Sequence, residues 1–276
     1  MKQILIKSGK PLSKNVPDID LEKGCVQIRV RKSCISIGTE LRDISNSGKS
    51  FLTKAVEKPE KIKQLGKMLK EYGVDFVLNK IAQKKGEYAP TGYSISGEVI
   101  ATGEGVDNFN VGDFVAAAGA KNAFHAGLVN VPSNLCVKFD STLPFSHAST
   151  VAIGSIALHS VRRSNLQLGE FCVVYGTGVL GLLAIQLLRN SGIRVAAIDI
   201  NTSKLELAKE FGAEIIINGD EHTIVDKIKQ WTGGYGSDAA ILAVASSSSI
   251  PISNCFKLLK RKGKVIILGA AGMDIK

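Results

Sequence analysis

Residues 171–181 read FCVVYGTGVLG. The apolar run Phe171–Tyr175 makes a short strand, and three glycines follow at the spacing G-x-G-x-x-G: Gly176, Gly178 and Gly181. The spacing alone is a weak signal and fits an ordinary glycine turn equally well. Its surroundings carry more. The loop follows an apolar strand and opens an apolar helix, Leu180–Asn190, which is the context a dinucleotide-binding loop requires. In that reading Gly176 allows the tight turn. Gly178 lets backbone N–H groups approach a pyrophosphate, and Gly181 lets the helix pack against the strand. Thr177, Val179 and Leu180 complete the loop, and the helix N-terminus adds oriented N–H groups and partial positive charge.

The next strand, RVAAIDI (194–200), ends in Asp199, about 20 residues beyond the glycines, where the fingerprint places an acid. A carboxylate there accepts the ribose hydroxyls of NAD and repels a 2′-phosphate, so NAD is expected over NADP. Ile200 and Lys204 then flank the adenosine. Taken singly, Asp199 reads equally as a helix cap or a solvated acid at a strand end.

Further on, strand and helix alternate. Helices are expected at Ser203–Phe211, Ile224–Trp231 and Ile252–Leu259. Strands are expected at Glu214–Ile217, Ala239–Val244 and Lys264–Leu268. This βαβαβαβαβ order predicts a doubly wound parallel sheet over 148–276. Upstream, CVQIRV (25–30), Cys34–Ile37, SGEVIATG (96–103), VGDFVAAAG (111–119) and LVNVPSNLCVKF (128–139) read as strands. Residues 1–147 therefore form a β-rich domain, interrupted at about 48–88 by a helical insertion.

Composition excludes several classes. The chain has 276 residues, is 45% hydrophobic and carries a formal charge of +10. No apolar run is long enough for a membrane span, and no signal peptide opens the chain, so the cytoplasm is the default compartment. The five cysteines (Cys25, Cys34, Cys136, Cys172, Cys255) are scattered, which argues against a structural zinc lobe and a disulfide framework. From Gly48 to Lys85 ten lysines face four acids. That basic stretch fits a solvated helical face better than a nucleic-acid surface, because it has no arginine and few aromatic rings.

SCISIGTEL (33–41), TGYSISGEVIATGEGV (91–106), FNVGDFV (109–115), VPSNLCVKFD (131–140) and the stretch from Gly176 to Glu214 together resemble the medium-chain dehydrogenase/reductase superfamily, the zinc alcohol dehydrogenase-like proteins. The resemblance implies a GroES-like catalytic domain before a Rossmann domain, with the active site between them. Val244, Ala245, Gly269 and Ala270 would contact the cofactor. More narrowly, KSGKP, SCISIGTE and PTGYS resemble the dehydrogenase half of bacterial two-part oxidoreductases, often encoded among surface-polysaccharide functions. A homodimer, or a fused or partner oxidoreductase domain, is implied in turn.

The departures define the chemistry. Where zinc-dependent members carry a cysteine before the glycine of the G-T-D/E motif, this chain has Ile37; where they have G-H-E it has Gly92-Tyr93-Ser94. A catalytic zinc needs three protein ligands and an open position, so a zinc-free enzyme is expected. Tyr93 then becomes the candidate donor to a carbonyl oxygen and Thr39 the candidate proton relay, with Ser94 and Glu40 secondary. Tyr93 filling vacated volume, Thr39 capping a turn and Glu40 serving the fold are the competing structural readings. Of the four histidines, His125, His147, His159 and His222, only His159 suggests a role: it could approach the cleft, but reads better as a packed core or surface histidine. Arg162 and Arg163 could meet an anionic substrate, but two arginines near a helix end read as solvent-facing.

The implied family sheet has a sixth strand, and this sequence ends at Lys276, after its fifth; it reads as truncated there. The expected function is NAD-dependent, zinc-independent hydride transfer to or from a polar alcohol or carbonyl, such as a sugar derivative. The alternatives are an NADPH-dependent quinone- or enoyl-type reductase and a non-catalytic dinucleotide-binding module.

Overall fold

A computed structural model describes residues 1–48, 88–219, 223–269 and 272. The expected basic insertion and Ala270 lie outside these residues, apart from the insertion's end points. The chain divides into two compact units, Met1–Ala152 and Ile153–Lys276.

The first unit is antiparallel. Strands β1 (Lys2–Lys7), β2 (Lys10–Asn15) and β4 (Ala89–Pro90) form a small sheet in the order β2-β1-β4. A five-stranded sheet contains β3 (Cys25–Ser33), β5 (Ser94–Thr102), β6 (Phe114–Ala118), β7 (Leu128–Pro132) and β8 (Cys136–Lys138), in the order β7-β3-β5-β6-β8. Alternation sets its inner face: Val26, Ile28, Ile95, Val99, Val115, Ala117, Val129 and Val131 share one core. The stretch 128–139 supplies both edges of this sheet. A short 3-10 turn, Ser133–Leu135, separates β7 from β8 on the opposite edge.

The structure corrects one local expectation. Cys34–Ile37 does not continue as a strand; β3 stops at Ser33, and helix α1 runs over Ile37–Gly48. The reason is a cap. The Ser36 N–H donates to Glu40 Oε1 at 2.8 Å, while the Glu40 N–H donates to Ser36 O at 2.9 Å, closing the first turn. Thr39 and Glu40 therefore sit in the first turn of a helix.

Helices α2 (Phe145–Ala148) and α3 (Val151–Ser164) lead into the second unit. There β9 (Phe171–Tyr175), β10 (Arg194–Asp199), β11 (Ile215–Asn218), β12 (Ser237–Leu242) and β13 (Leu259–Ile267) form a parallel sheet in the order β11-β10-β9-β12-β13. This is the expected doubly wound sheet. Period-2 alternation buries both faces. Cys172, Val174, Val195, Ala197 and Ile241 face α4 (Val179–Asn190) and α5 (Thr202–Glu210). Val173, Tyr175, Ala196, Ile198 and Leu242 face α6 (Ile224–Trp231) and α7 (Ile250–Leu258). β13 begins earlier than the sequence suggests, because a bulge after Leu259 inserts extra residues before the register resumes at Lys264.

At the start of β10, Arg194 holds both oxygens of Glu214 at 2.9 and 3.1 Å through Nε, and Trp231 Nε1 donates to Oε2 at 3.1 Å. These bonds, Arg194's first, hold the Glu214 carboxyl below the ordinary carboxylate value. A depressed native value contributes stability above the unfolded value and loses it as pH falls through the native one. Replacing Glu214 by Gln is therefore expected to lower the urea midpoint at pH 7. In acid, once both states are protonated, wild type and variant should converge.

Candidate functional site

The two halves of the expected site lie in different units. In the second unit, chain order runs outward from β9 to β10 and β11, then returns to β12 on the other side. The strand order thus reverses between β9 and β12, and a doubly wound sheet offers its ligand crevice at the C-terminal ends of such strands. The glycine loop follows β9 there.

Its glycines differ in what surrounds them. Gly176 has φ +102°, and its N–H donates to Ile198 O at 2.7 Å; a Cβ on it would stand 2.6 Å from Val244 Cγ1. A Cβ on Gly181 would stand 1.9 Å from Gly176 O, so α4 approaches the loop too closely for any side chain. Around Gly178 a Cβ would meet none of the described residues within 4 Å. Gly178 is also the N-cap of α4 and makes no side-chain cap. This open position beside uncapped first-turn N–H groups is where an anion is stabilised. Val179 is exposed and Leu180 half-buried. Val244 and Gly269 pack together, a Cβ on Gly269 standing 2.0 Å from Val244 O, and Ala245 is exposed beside them.

Asp199 ends β10 with its carboxylate turned to the loop. Oδ2 accepts from the Thr177 N–H at 2.7 Å and from the Thr177 hydroxyl at 3.0 Å; Oδ1 accepts from the Asn201 N–H at 3.0 Å. Thr177 is wholly buried, whereas Ile200 is 70% exposed and Lys204 is exposed on α5. The side chain of Asn201 caps α5 by accepting from the Lys204 N–H. A cavity of about 730 Å³ lies elsewhere in this unit, between α3 and β13; its lining includes His159, Arg163 and Lys264 but no residue of the loop.

In the first unit, a buried polar junction joins the two candidate catalytic segments. Glu40 and His125 are both buried, with His125 Nε2 3.0 Å from Glu40 Oε2. The Thr91 hydroxyl donates to the same oxygen at 3.5 Å, and the His125 N–H donates to Thr91 O at 2.9 Å. The His125 ring lies against Gly92, whose φ is +100° and whose Cβ, if present, would stand 2.9 Å from the ring carbons. The Cys34 N–H donates to Ser94 O at 3.0 Å. Thr39 and Tyr93, both half-buried, are carried on the segments this junction ties together.

Sequence reasoning gave His125 no role. The missed signal was the left-handed glycine beside Thr91, which makes room for an imidazole far away in sequence. Ser94 is wholly buried. Its hydroxyl donates to Ser149 O at 2.6 Å and accepts from the Ala152 N–H at 3.1 Å, so both its roles are used in packing.

At the two positions where the sequence departs from the zinc-dependent pattern, the residues are poor zinc donors. Ile37 is 63% exposed and offers no ligand atom, and the Tyr93 position offers a phenol. Burial first, then the nearby Glu40 carboxylate, raises the Cys34 thiol and so disfavours its thiolate. Among the described residues no group of three or more His, Cys, Asp or Glu side chains is placed to hold a metal ion.

Comparison with known proteins places these features. Residues 179–276 match the family model described as zinc-binding dehydrogenase. The matched stretch is thus similar to zinc-binding dehydrogenases. It is 31% identical to the (R,R)-butanediol dehydrogenase of Bacillus subtilis strain 168 over 181 residues, covering 56% of this chain and 52% of that one. It is 34% identical to an erythritol/L-threitol dehydrogenase of Mycolicibacterium smegmatis over 139 residues, covering 50% and 38%. The aligned part of this chain thus spans about half, or less, of the length of those two proteins. Its fold matches that of an alcohol dehydrogenase from Thermus sp. ATN1 (TM-score 0.78, 20% identity, 100% of this chain and 79% of that one). It also matches the galactitol-1-phosphate dehydrogenase of Escherichia coli (TM-score 0.77, 18% identity, 100% and 77%). At these identities the likeness concerns the fold. Among the described residues no helix is long and apolar enough to cross a membrane.

Proposed function

We propose that this chain is an NAD-dependent, zinc-independent oxidoreductase acting on a polar alcohol or its carbonyl partner. The observation that carries the reading is the contrast within the loop: Gly181 closed by backbone, Gly178 open, and Asp199 held beside them. A mere turn has no need of an open glycine at a helix N-terminus facing an acid on the next strand. These residues fit a dinucleotide. The N–H groups around Gly178 would take the pyrophosphate, Asp199 the ribose, and Val244, Ala245 and Gly269 the neighbouring wall. Bound there, a nicotinamide dinucleotide supplies the ring that accepts or gives hydride.

The chain's own residues supply the rest. The Tyr93 phenol would donate to the substrate oxygen and Thr39 would pass its proton on. Glu40, buried and bonded on both oxygens, holds the helix start rather than the substrate. The relatives named for butanediol and for tetritols support a polar alcohol as substrate class; a sugar derivative belongs to the same chemistry.

The test is isothermal titration with NAD and NADP, together with assays on vicinal diols and polyols with and without a chelator. NAD should bind the more tightly, and Asp199→Ala should weaken it about tenfold or more, for loss of a charge-assisted ribose bond, with little effect on NADP. Absence of NAD binding would end this reading. Activity that disappears with chelator and returns with zinc would end its zinc-free part. Preference for NADP would favour the quinone- or enoyl-type alternative.

A further inference from the structure

We propose that the Thr177 hydroxyl competes with the ribose of the bound dinucleotide for Asp199, and so limits dinucleotide affinity. This rests on the dinucleotide reading above. A carboxylate offers about four acceptor positions. Three are filled by the protein itself: Thr177 places its N–H and its hydroxyl on Oδ2, and the Asn201 N–H takes one position on Oδ1. One position remains, on Oδ1. A ribose diol brings two hydroxyl donors. For both to bond to Asp199, one protein donor must leave.

Two of the three donors are fixed. The Thr177 N–H directly follows Gly176, whose own N–H is tied to Ile198 O at 2.7 Å. The Asn201 N–H belongs to the residue whose side chain caps α5. Neither can turn away without moving a loop or a helix end. The hydroxyl rotates about a single bond, so it is the donor that yields. Thr177 is wholly buried, and no solvent stands ready to replace the bond it gives up. The bond lost there offsets part of the ribose bond gained. Removing the hydroxyl leaves Asp199 held by two backbone N–H groups, still aimed and with a second position free.

Thr177→Val keeps the shape of the side chain and the backbone donor while deleting the hydroxyl. Calorimetric titration at pH 7 should show NAD bound about threefold to tenfold more tightly than by wild type, the fold-range of one net hydrogen bond. Thr177→Ala, a second deletion of the hydroxyl with a smaller side chain, should shift in the same direction. Thr177→Ser, which keeps the hydroxyl, should bind as wild type. NADP carries a phosphate in place of one ribose hydroxyl and should gain nothing. An unchanged or weaker Kd for NAD in both deletion variants overturns the proposal, as does equal tightening for NAD and NADP. If wild type binds NAD and Asp199→Ala weakens it while the Thr177 variants do not tighten it, only this inference falls. If wild type binds no NAD, the dinucleotide reading falls with it.

Discussion

Gly181→Ala should destabilise the second unit by about 3 kcal/mol or more, while Gly178→Ala, three residues away, costs no more than about 1 kcal/mol. The difference follows from surroundings. The new Cβ at 181 would lie 1.9 Å from Gly176 O, a backbone atom that cannot swing aside. Helix α4 would have to lift off the loop, breaking its packing on Val174 and Ala197 through Ala184, Ile185 and Leu188. At 178 the new methyl meets none of the described residues within 4 Å, and the backbone there, at φ −69°, suits any residue. The cost at 178 should fall on ligand binding, because the methyl stands where a pyrophosphate approaches. Urea unfolding and NAD titration of both variants separate the effects. A Gly178→Ala protein that binds NAD as well as wild type would make the loop a turn and nothing more.

His125→Ala should lower the stability of the first unit by about 3 kcal/mol, the scale for leaving a buried carboxyl group short of a hydrogen-bond partner. Glu40 would remain buried, with the Ser36 N–H on one oxygen and a long Thr91 contact on the other. The helix start that carries Thr39 would lose its anchor to the Thr91–Tyr93 segment. His125→Gln places an amide N–H near the position of Nε2 and should recover more than half of the loss. If the Ala and Gln variants unfold at the same urea concentration, the bond to Glu40 is not what the imidazole contributes. The ring's other nitrogen, Nδ1, is buried with no hydrogen-bond partner among the described residues, so the Gln variant loses nothing on that side.

The second unit was legible in the sequence to a degree the first was not. Phe171–Tyr175, the three glycines and the acid at 199 are local signals: each rests on periodicity or on a glycine's reach within about 30 residues. The doubly wound parallel sheet followed from alternating strand and helix, because short right-handed crossovers leave few ways to wind such a sheet. In the first unit the same methods misread Cys34–Ile37 as strand. What starts the helix is Glu40 folding back on Ser36, and that carboxylate is held in turn by a residue 85 positions away.

The sequence by itself therefore determined a β-rich part followed by a doubly wound sheet, the glycine loop and the acid one strand on, since these depend on side-chain period and on backbone freedom at single positions. Only the tertiary structure decided which glycine is closed and which is open, that Thr177 already occupies the acid, and that His125 joins the segments of Thr39 and Tyr93. Those facts depend on which atoms meet across the fold. A hydrogen bond forms by distance in space, and a chain read in order does not state that distance.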